Sequence, residues 1–410
     1  MRRTLHQMLA LLFTANTVVR AEVLKRVLFD AATAAAYPAV CLDGSPAGYY
    51  VNEKPDSKGW VIYLEGGGLC ITPIDCKGRT KGGEGSSTFW SETFSDTTNV
   101  LAGTDDLNPF GSWSHVWVPY CSGDTWTGTT IKNDYLAGLA TTGHNIVTAV
   151  VDHLHNTTSF PRATQLLLSG GSAGGIGVFH NIDYVGERLG QLGMSSTVVK
   201  GSPQAGFFFP TGVCNFETFA LGSRAPFDGL ASWAVHLVEL GYVNPACVAA
   251  EKEKWRCWDV SVVSKYLRTP MFLAQNAVDS NQAHDELLCP PGVCGPHPKL
   301  AVARAWMADY ANKSHASMLA YLATHPTSAV FMPGCFDHTG DLCMGLGPQI
   351  GGVSYRTALS EWYFEGKHRG ALFIDGCDAS DPVCNPTCGK GGCGDAIKSA
   401  APVEEQQAAS

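Results

Sequence analysis

Gly170-Gly171-Ser172-Ala173-Gly174 matches G-x-S-x-G, the pattern in which a serine sits on a strained turn between a strand and a helix and flanking glycines relieve the crowding around it. The string alone is cheap, since roughly 0.3 copies are expected by chance in a chain this rich in glycine and serine. Its setting gives it meaning. It follows the apolar run Leu166-Leu167-Leu168 and opens a segment in which Ile176, Phe179, Ile182, Val185 and Leu189 recur near the helical period. A serine so placed can attack a carbonyl carbon, and the helix N-terminus beside it favours the oxyanion that develops. The bland alternative is a glycine-rich turn carrying an ordinary serine.

Upstream, Trp60-Val61-Ile62-Tyr63-Leu64-Glu65-Gly66-Gly67-Gly68 reads as a strand ending in three glycines, where such hydrolases place further amide donors. Backbone N–H groups of Gly67 or Gly68, together with Ala173, are the expected oxyanion hole, worth about 3 to 4 kcal/mol per donor. A plain tight turn competes with that reading. Glu65 is read as an anchor for the loop rather than a proton carrier.

In a doubly wound hydrolase the acid and then the histidine follow the serine, each on a loop after a later strand. The run from Thr269 to Val278 reads as a buried strand opening into a loop that carries Asp279, with Asp285 and Glu286 as competitors. Of thirteen histidines, His338 and His368 lie beyond the candidate strands. His338 follows the run Ala329 to Met332 through Pro333-Gly334-Cys335-Phe336-Asp337, which would deliver it to the sheet edge that carries Ser172. It would accept the serine proton and return it to the leaving alcohol, with Asp279 fixing its tautomer. A structural histidine held by Asp337 or Asp341 is the alternative.

Positioning these residues requires an α/β fold. Residues 22 to about 375 alternate strand-like and helix-like segments, which predicts a hydrolase-like, mostly parallel, doubly wound sheet with helices on both faces. The expected strands are Trp60 to Leu64, Val116 to Pro119, Gln165 to Ser169, Met271 to Gln275 and Ala329 to Met332; the expected helices include Ile176 to Leu189 and Ala301 to Ala323. No linker or internal repeat divides residues 22–376. Residues 377–410 read as a Cys/Gly-rich appendage with a disordered tail.

The 410 residues carry 28 Lys plus Arg against 37 Asp plus Glu, a net charge of −9 that argues against a nucleic-acid partner. Apolar residues make up 45% and charged residues only 16%, enough to build a large core. Arg2 and Arg3, the apolar run Met8 to Phe13 and small residues at Ala15 and Ala21 make residues 1–21 a secretory signal, with a signal anchor as the alternative. Beyond them no run is long and apolar enough to span a membrane. Fifteen cysteines call for an oxidising compartment and a disulfide framework with one thiol left over, connectivity open. Cys70 with Cys76 and Cys121, and Cys289 with Cys294, flank loops near the site. For the cysteines from Cys377 to Cys393 disulfides are favoured over metal ligation, since their spacing offers no C-x-x-C pair. Asn156-Thr157-Thr158 and Asn312-Lys313-Ser314 are glycosylation acceptors. Trp90, Trp113, Trp117 and Trp126 could stack on sugars or line an acyl pocket, though core packing is the commoner use of any one of them.

With these segments assembled, the chain resembles the pectin acetylesterase family, which includes the Notum-type carboxylesterases. The matching pieces are Leu64 to Cys70, Gly85-Ser86-Ser87, Trp113 with Val116 to Asp124 and Gly128, Leu168 to Gly175, Ala205-Gly206-Phe207-Phe208, Asn276 to Ser280, and Cys335 to His338. They are collinear over residues 40–340. The resemblance implies an α/β-hydrolase-like fold and a serine esterase, with Ser172, Asp279 and His338 as its triad and no cofactor or metal. Leu69 stands where the family has an aromatic residue, so the acyl-pocket wall is expected to differ. Gln204 replaces an aspartate before Ala-Gly, and Phe209-Pro210 replaces another. The expected activity is that of a secreted, monomeric enzyme that deacetylates a cell-wall polysaccharide such as pectin through an acyl-enzyme. The alternatives are a Notum-like carboxylesterase removing a longer acyl chain from a protein or small ester, and an inactive glycan-binding homologue.

Overall fold

The computed structural model describes residues 22–96, 100–101, 108–209, 211, 241–340, 347–378 and 380–389. The expected signal, the polar tail from residue 390, and Pro210, Cys214, Asp341, Cys343 and Cys393 lie outside the described residues.

Ten strands form the main sheet: β1 (Glu22–Leu28), β2 (Gly48–Asn52), β3 (Gly59–Leu64), β4 (Thr93–Asp96), β5 (Ser114–Val118), β6 (Gln165–Gly171), β7 (Val198–Gln204), β8 (Phe272–Ala274), β9 (Ala329–Met332) and β10 (Leu372–Ile374). Their order is β10-β9-β8-β7-β6-β3-β5-β2-β1-β4. Pairings from β10 across to β5 are parallel, and those among β5, β2, β1 and β4 are antiparallel. The expected strands therefore form the parallel body. The antiparallel edge went unexpected, because β1 alternates exposed and partly buried residues that read as loop. β3 is buried along its whole length and Leu166, Leu167 and Leu168 of β6 are fully buried, which requires cover on both faces of the sheet.

The helices that matter here are α1 (Pro73–Arg79), α2 (Gly143–Thr157), α3 (Ala173–Gln191), α4 (Ala301–Thr324) and α5 (Tyr355–Glu365). The chain leaves β3 toward β5 on one side and leaves β6 toward β7 on the other. The crevice between the carboxyl ends of β3 and β6 is therefore a topological switch point, where open α/β sheets bind ligands. The register sets Leu64 beside Gly170, so the loop of three glycines and the G-x-S-x-G turn leave the sheet at the same level.

Among the described residues six disulfides join Cys41–Cys121, Cys70–Cys76, Cys247–Cys257, Cys289–Cys294, Cys335–Cys388 and Cys377–Cys384. Cys121 thus pairs with Cys41 and not within the Cys70 loop. Among the described residues no helix is long and apolar enough to cross a membrane.

Candidate active site

Ser172 stands between β6 and α3 with φ 57° and ψ −124°, a left-handed conformation that a side chain adopts only under constraint, at a cost of order 1 to 3 kcal/mol. The constraint is visible. Its N–H donates to Gln204 O at 2.9 Å, and its carbonyl accepts from Ile176 N at 3.0 Å. The glycine loop presses on it from β3: a Cβ on Gly66 would lie 2.7 Å from Gly171 O and 3.0 Å from Ser172 Cβ. Only glycine lets the two turns meet. Ala173, the first residue of α3, belongs to the turn whose amides have no partner within the helix.

Beyond β8 and β9 the chain makes one more short parallel pairing, Val278–Asp279 beside Phe336–Asp337, with Asp279 opposite Asp337. That pairing brings His338 to Asp279. The imidazole Nδ1–H donates to the carboxylate at 2.8 Å (Oδ2) and 3.0 Å (Oδ1). Asp279 is fully buried and also accepts from Gln275 Nε2 at 2.9 Å and Gln282 N at 2.9 Å. Asn276 Nδ2 donates to the carbonyls of Asp337 and His338, both at 3.0 Å, and the Phe208 ring stacks on the imidazole at 6.1 Å. Burial is the largest single influence on His338 and opposes its charged form. The charge and hydrogen bond of Asp279, with the charge of Asp337, outweigh it, so the pKa lies above the ordinary histidine value.

Asp279, not its competitors, faces the imidazole. Asp285 is exposed and held by Asn281. Glu286 lies nearby as a carboxyl pushed up to about 8, first by burial and then by the charge of Asp279. His368 sits on Glu361. The turn before His338 is bracketed by the far end of the chain: Gly334 N donates to Asp375 Oδ2 at 2.8 Å, Asn385 N donates to Gly334 O at 3.1 Å, and Cys335 is bonded to Cys388.

The serine and histidine segments approach each other, since a Cβ on Gly171 would lie 3.7 Å from Thr339 Cγ2. The serine–imidazole hydrogen bond is not closed in this conformation. Among the described residues the buried His338 Nε2 has no hydrogen-bond partner. Such bonds are often loose without substrate and tighten around it.

The flank of the site depends on residues that sequence reasoning left out of the chemistry. Glu65 Oε2 accepts from Tyr120 N at 2.8 Å, which makes it a loop anchor, and burial pushes its carboxyl up to about 7. Trp126, with φ 65°, donates from Nε1 to Glu65 O at 3.1 Å, and its own carbonyl accepts from Asn181 Nδ2 of α3 at 3.0 Å. It therefore ties the glycine loop to α3, the helix that follows Ser172. Asp124 holds the Trp126 turn by accepting from Ser122 Oγ, Trp126 N, Gly128 N and Gly143 N at 2.6 to 3.1 Å. Trp90, Trp113 and Trp117 pack in the core instead, Trp117 stacked on Tyr63 at 4.9 Å. Gln204, where the resemblance expected an aspartate, donates from Nε2 to Tyr355 OH at 2.8 Å while its carbonyl fixes Ser172 N.

A ten-stranded, mostly parallel sheet with a strained serine at its switch point defines an α/β-hydrolase-like protein. The family model for pectinacetylesterase matches residues 21–389, and the chain belongs to that family. It is 34% identical over 252 residues to the palmitoleoyl-protein carboxylesterase NOTUM of Mus musculus, covering 59% of this chain and 48% of that one, so the match spans about half the length of this curated relative. It is 26% identical over 381 residues to pectin acetylesterase 11 of Arabidopsis thaliana, covering 87% of this chain and 90% of that one. The solved structure of the Wnt deacylase Notum from Drosophila superposes with a TM-score of 0.74 at 26% identity, over 90% of this chain and all of that chain.

Proposed function

We propose that this protein is a secreted serine carboxylic-ester hydrolase that removes acetyl groups from a cell-wall polysaccharide such as pectin. The observation that carries the reading is the hydrogen bond of His338 to the buried Asp279, on a segment that approaches the turn in which Ser172 is strained to a positive φ. As Ser172 Oγ attacks the ester carbonyl, its proton passes to His338 Nε2. The carbonyl becomes an oxyanion facing the N–H groups of Gly67 or Gly68 and Ala173. Its collapse breaks the bond to the sugar oxygen, which takes the proton from His338, and leaves an acetyl-serine. Water then attacks with His338 again as base, releasing acetate and restoring the serine hydroxyl. Each step uses only groups of this chain and water.

Residues 22–376 form the catalytic body in this reading, residues 377–410 its appendage, and residues 1–21 its export signal. Six disulfides and exposed acceptors at Asn156 and Asn312 support an oxidising secretory route. The protein acts as a monomer without a cofactor or metal. The 34% identity to mouse NOTUM favours a second reading, removal of a longer acyl chain.

Acetate release from acetylated pectin, xylan and mannan by wild type and Ser172→Ala tests the first reading. Release from at least one polymer, abolished in the variant, is the expected result. No release from any of them, with p-nitrophenyl octanoate strongly preferred over p-nitrophenyl acetate, would transfer the assignment to the second.

A further inference from the structure

A loop of three glycines has no conformation of its own, yet it must aim its amides at a substrate oxygen. The peptide joining Gly67 to Gly68 is planar and trans, so its C=O and N–H point in opposite directions. Holding the carbonyl therefore aims the amide.

Arg79, the last residue of α1, supplies that hold. Its Nη1 donates to Gly67 O and its Nη2 donates to Leu69 O at 3.3 Å. The peptide after Leu69 shows the expected consequence: Leu69 O faces Arg79, while Cys70 N–H donates to Gly123 O at 3.0 Å. The guanidinium is 16% exposed and is itself fixed, with Nη1 3.1 Å from Glu84 Oε2 and Nε 3.7 Å from Asp75 Oδ1. Its helix is short but pinned by the Thr72 cap, Pro73 in its first turn and the Cys70–Cys76 disulfide. Tyr120 closes the other side, since a Cβ on Gly67, which has φ 151°, would lie 2.6 Å from Tyr120 Cδ1. The loop is thus gripped by its carbonyls on one side and walled on the other.

We infer that Arg79 is a positioning residue for the ester hydrolysis: its two-pronged hold on the Gly67 and Leu69 carbonyls turns the Gly68 amide toward the transition-state oxyanion. This rests on the proposed roles of Ser172, Asp279 and His338. Arginine suits the task because its planar fork reaches two carbonyls at once, whereas lysine offers a single point.

The test compares wild type, Arg79→Lys, Arg79→Met and Ser172→Ala on p-nitrophenyl acetate. Rates are normalised to active sites by fluorophosphonate titration, those of Ser172→Ala to protein concentration, and an alkyl boronic acid serves as a tetrahedral mimic of the transition state. The Met variant should lose about 30-fold in kcat with KM and the pH midpoint unchanged, and its boronate inhibition constant should rise by a similar factor. The Lys variant should fall between Met and wild type. A merely structural role would lower the number of titratable sites and leave both kcat per site and boronate binding unaltered, which would overturn the inference. If Arg79→Met does not fold, the Lys variant carries the same comparison, and wild-type kcat and boronate affinity in it would also overturn the inference. Should Ser172→Ala remain active, the nucleophile assignment falls. Should it be inert while Arg79→Met keeps wild-type kcat per site, only the role of Arg79 falls.

Discussion

Replacing Asp279 by asparagine tests the acid–base pair with almost no change of shape. In wild type both carboxylate oxygens accept: Oδ2 from His338 Nδ1 and Gln275 Nε2, Oδ1 from His338 Nδ1 and Gln282 N. An amide must put an NH2 group at one of these positions. At the Oδ2 position it would face Gln275 Nε2, and Gln275 cannot turn over freely because its Oε1 accepts from Phe207 N at 3.1 Å. At the Oδ1 position it would oppose the backbone N–H of Gln282. Either way one donor loses its acceptor in a fully buried place, a cost of about 1 to 3 kcal/mol in stability. The larger effect is on the imidazole. An NH2 group beside Nδ1 favours the tautomer protonated on Nε2, the nitrogen that should receive the serine proton. By analogy with serine hydrolase triads, the wrong tautomer costs about 10⁴ in kcat, equivalent to about 5.4 kcal/mol. The assay is hydrolysis of p-nitrophenyl acetate by protein shown to be folded, with the tautomer read from imidazole ¹⁵N shifts. A folded Asp279→Asn enzyme within tenfold of the wild-type kcat would refute the reasoning.

Further outcomes follow from two other residues. Glu286→Gln replaces a carboxyl that stays protonated below about 8 by a neutral amide, so the acidic limb of kcat/KM should stay in place. The carboxyl of Glu286 holds its proton to about 8 when folded and to about 4.5 when unfolded. Its contribution to stability is therefore present below 4.5 and lost as pH rises through 8, and thermal melts of the Gln variant should show a flatter decline over that window. Asp124→Asn would turn an NH2 group against two of the four donors now satisfied there, so the urea midpoint should fall by the equivalent of about 3 kcal/mol. An unchanged midpoint would remove Asp124 from the account of how the Trp126 turn is held.

What could be read from the sequence was local. Ser172 was legible because its glycines, the apolar run before it and the periodic run after it all lie within one stretch of chain. Asp279 and His338 were legible as the ends of strand-like runs. The choice of Asp279 over Asp285 and Glu286 rested on closeness to the strand end, and the short pairing of Val278–Asp279 with Phe336–Asp337 is what brings Asp279 to the imidazole of His338. Arg79 and Trp126 were not legible in these roles. Arg79 reaches back to Gly67 and Leu69 only because α1 folds against the loop, and Trp126 reaches Glu65 only through consecutive left-handed residues at Thr125 and Trp126. Nothing in residue type announces a carbonyl acceptor on a distant turn. The antiparallel part was missed because β1 buries Leu24 alone along its length, so it carries neither an apolar run nor a clean alternation.

The bond between Cys335 and Cys388 gives the molecule a schedule. Fifty-three positions separate the two cysteines, so at about 5 to 20 residues per second a ribosome needs several seconds after making the turn that carries His338 before its tether exists. Oxidation must then join them. The part of the sheet that carries Ser172 can form early, while the His338 turn is secured later, by residues that follow β10. A nascent chain would thus emerge with a quiescent serine, and hydrolytic competence would arrive only once Cys388 had been made and paired with Cys335.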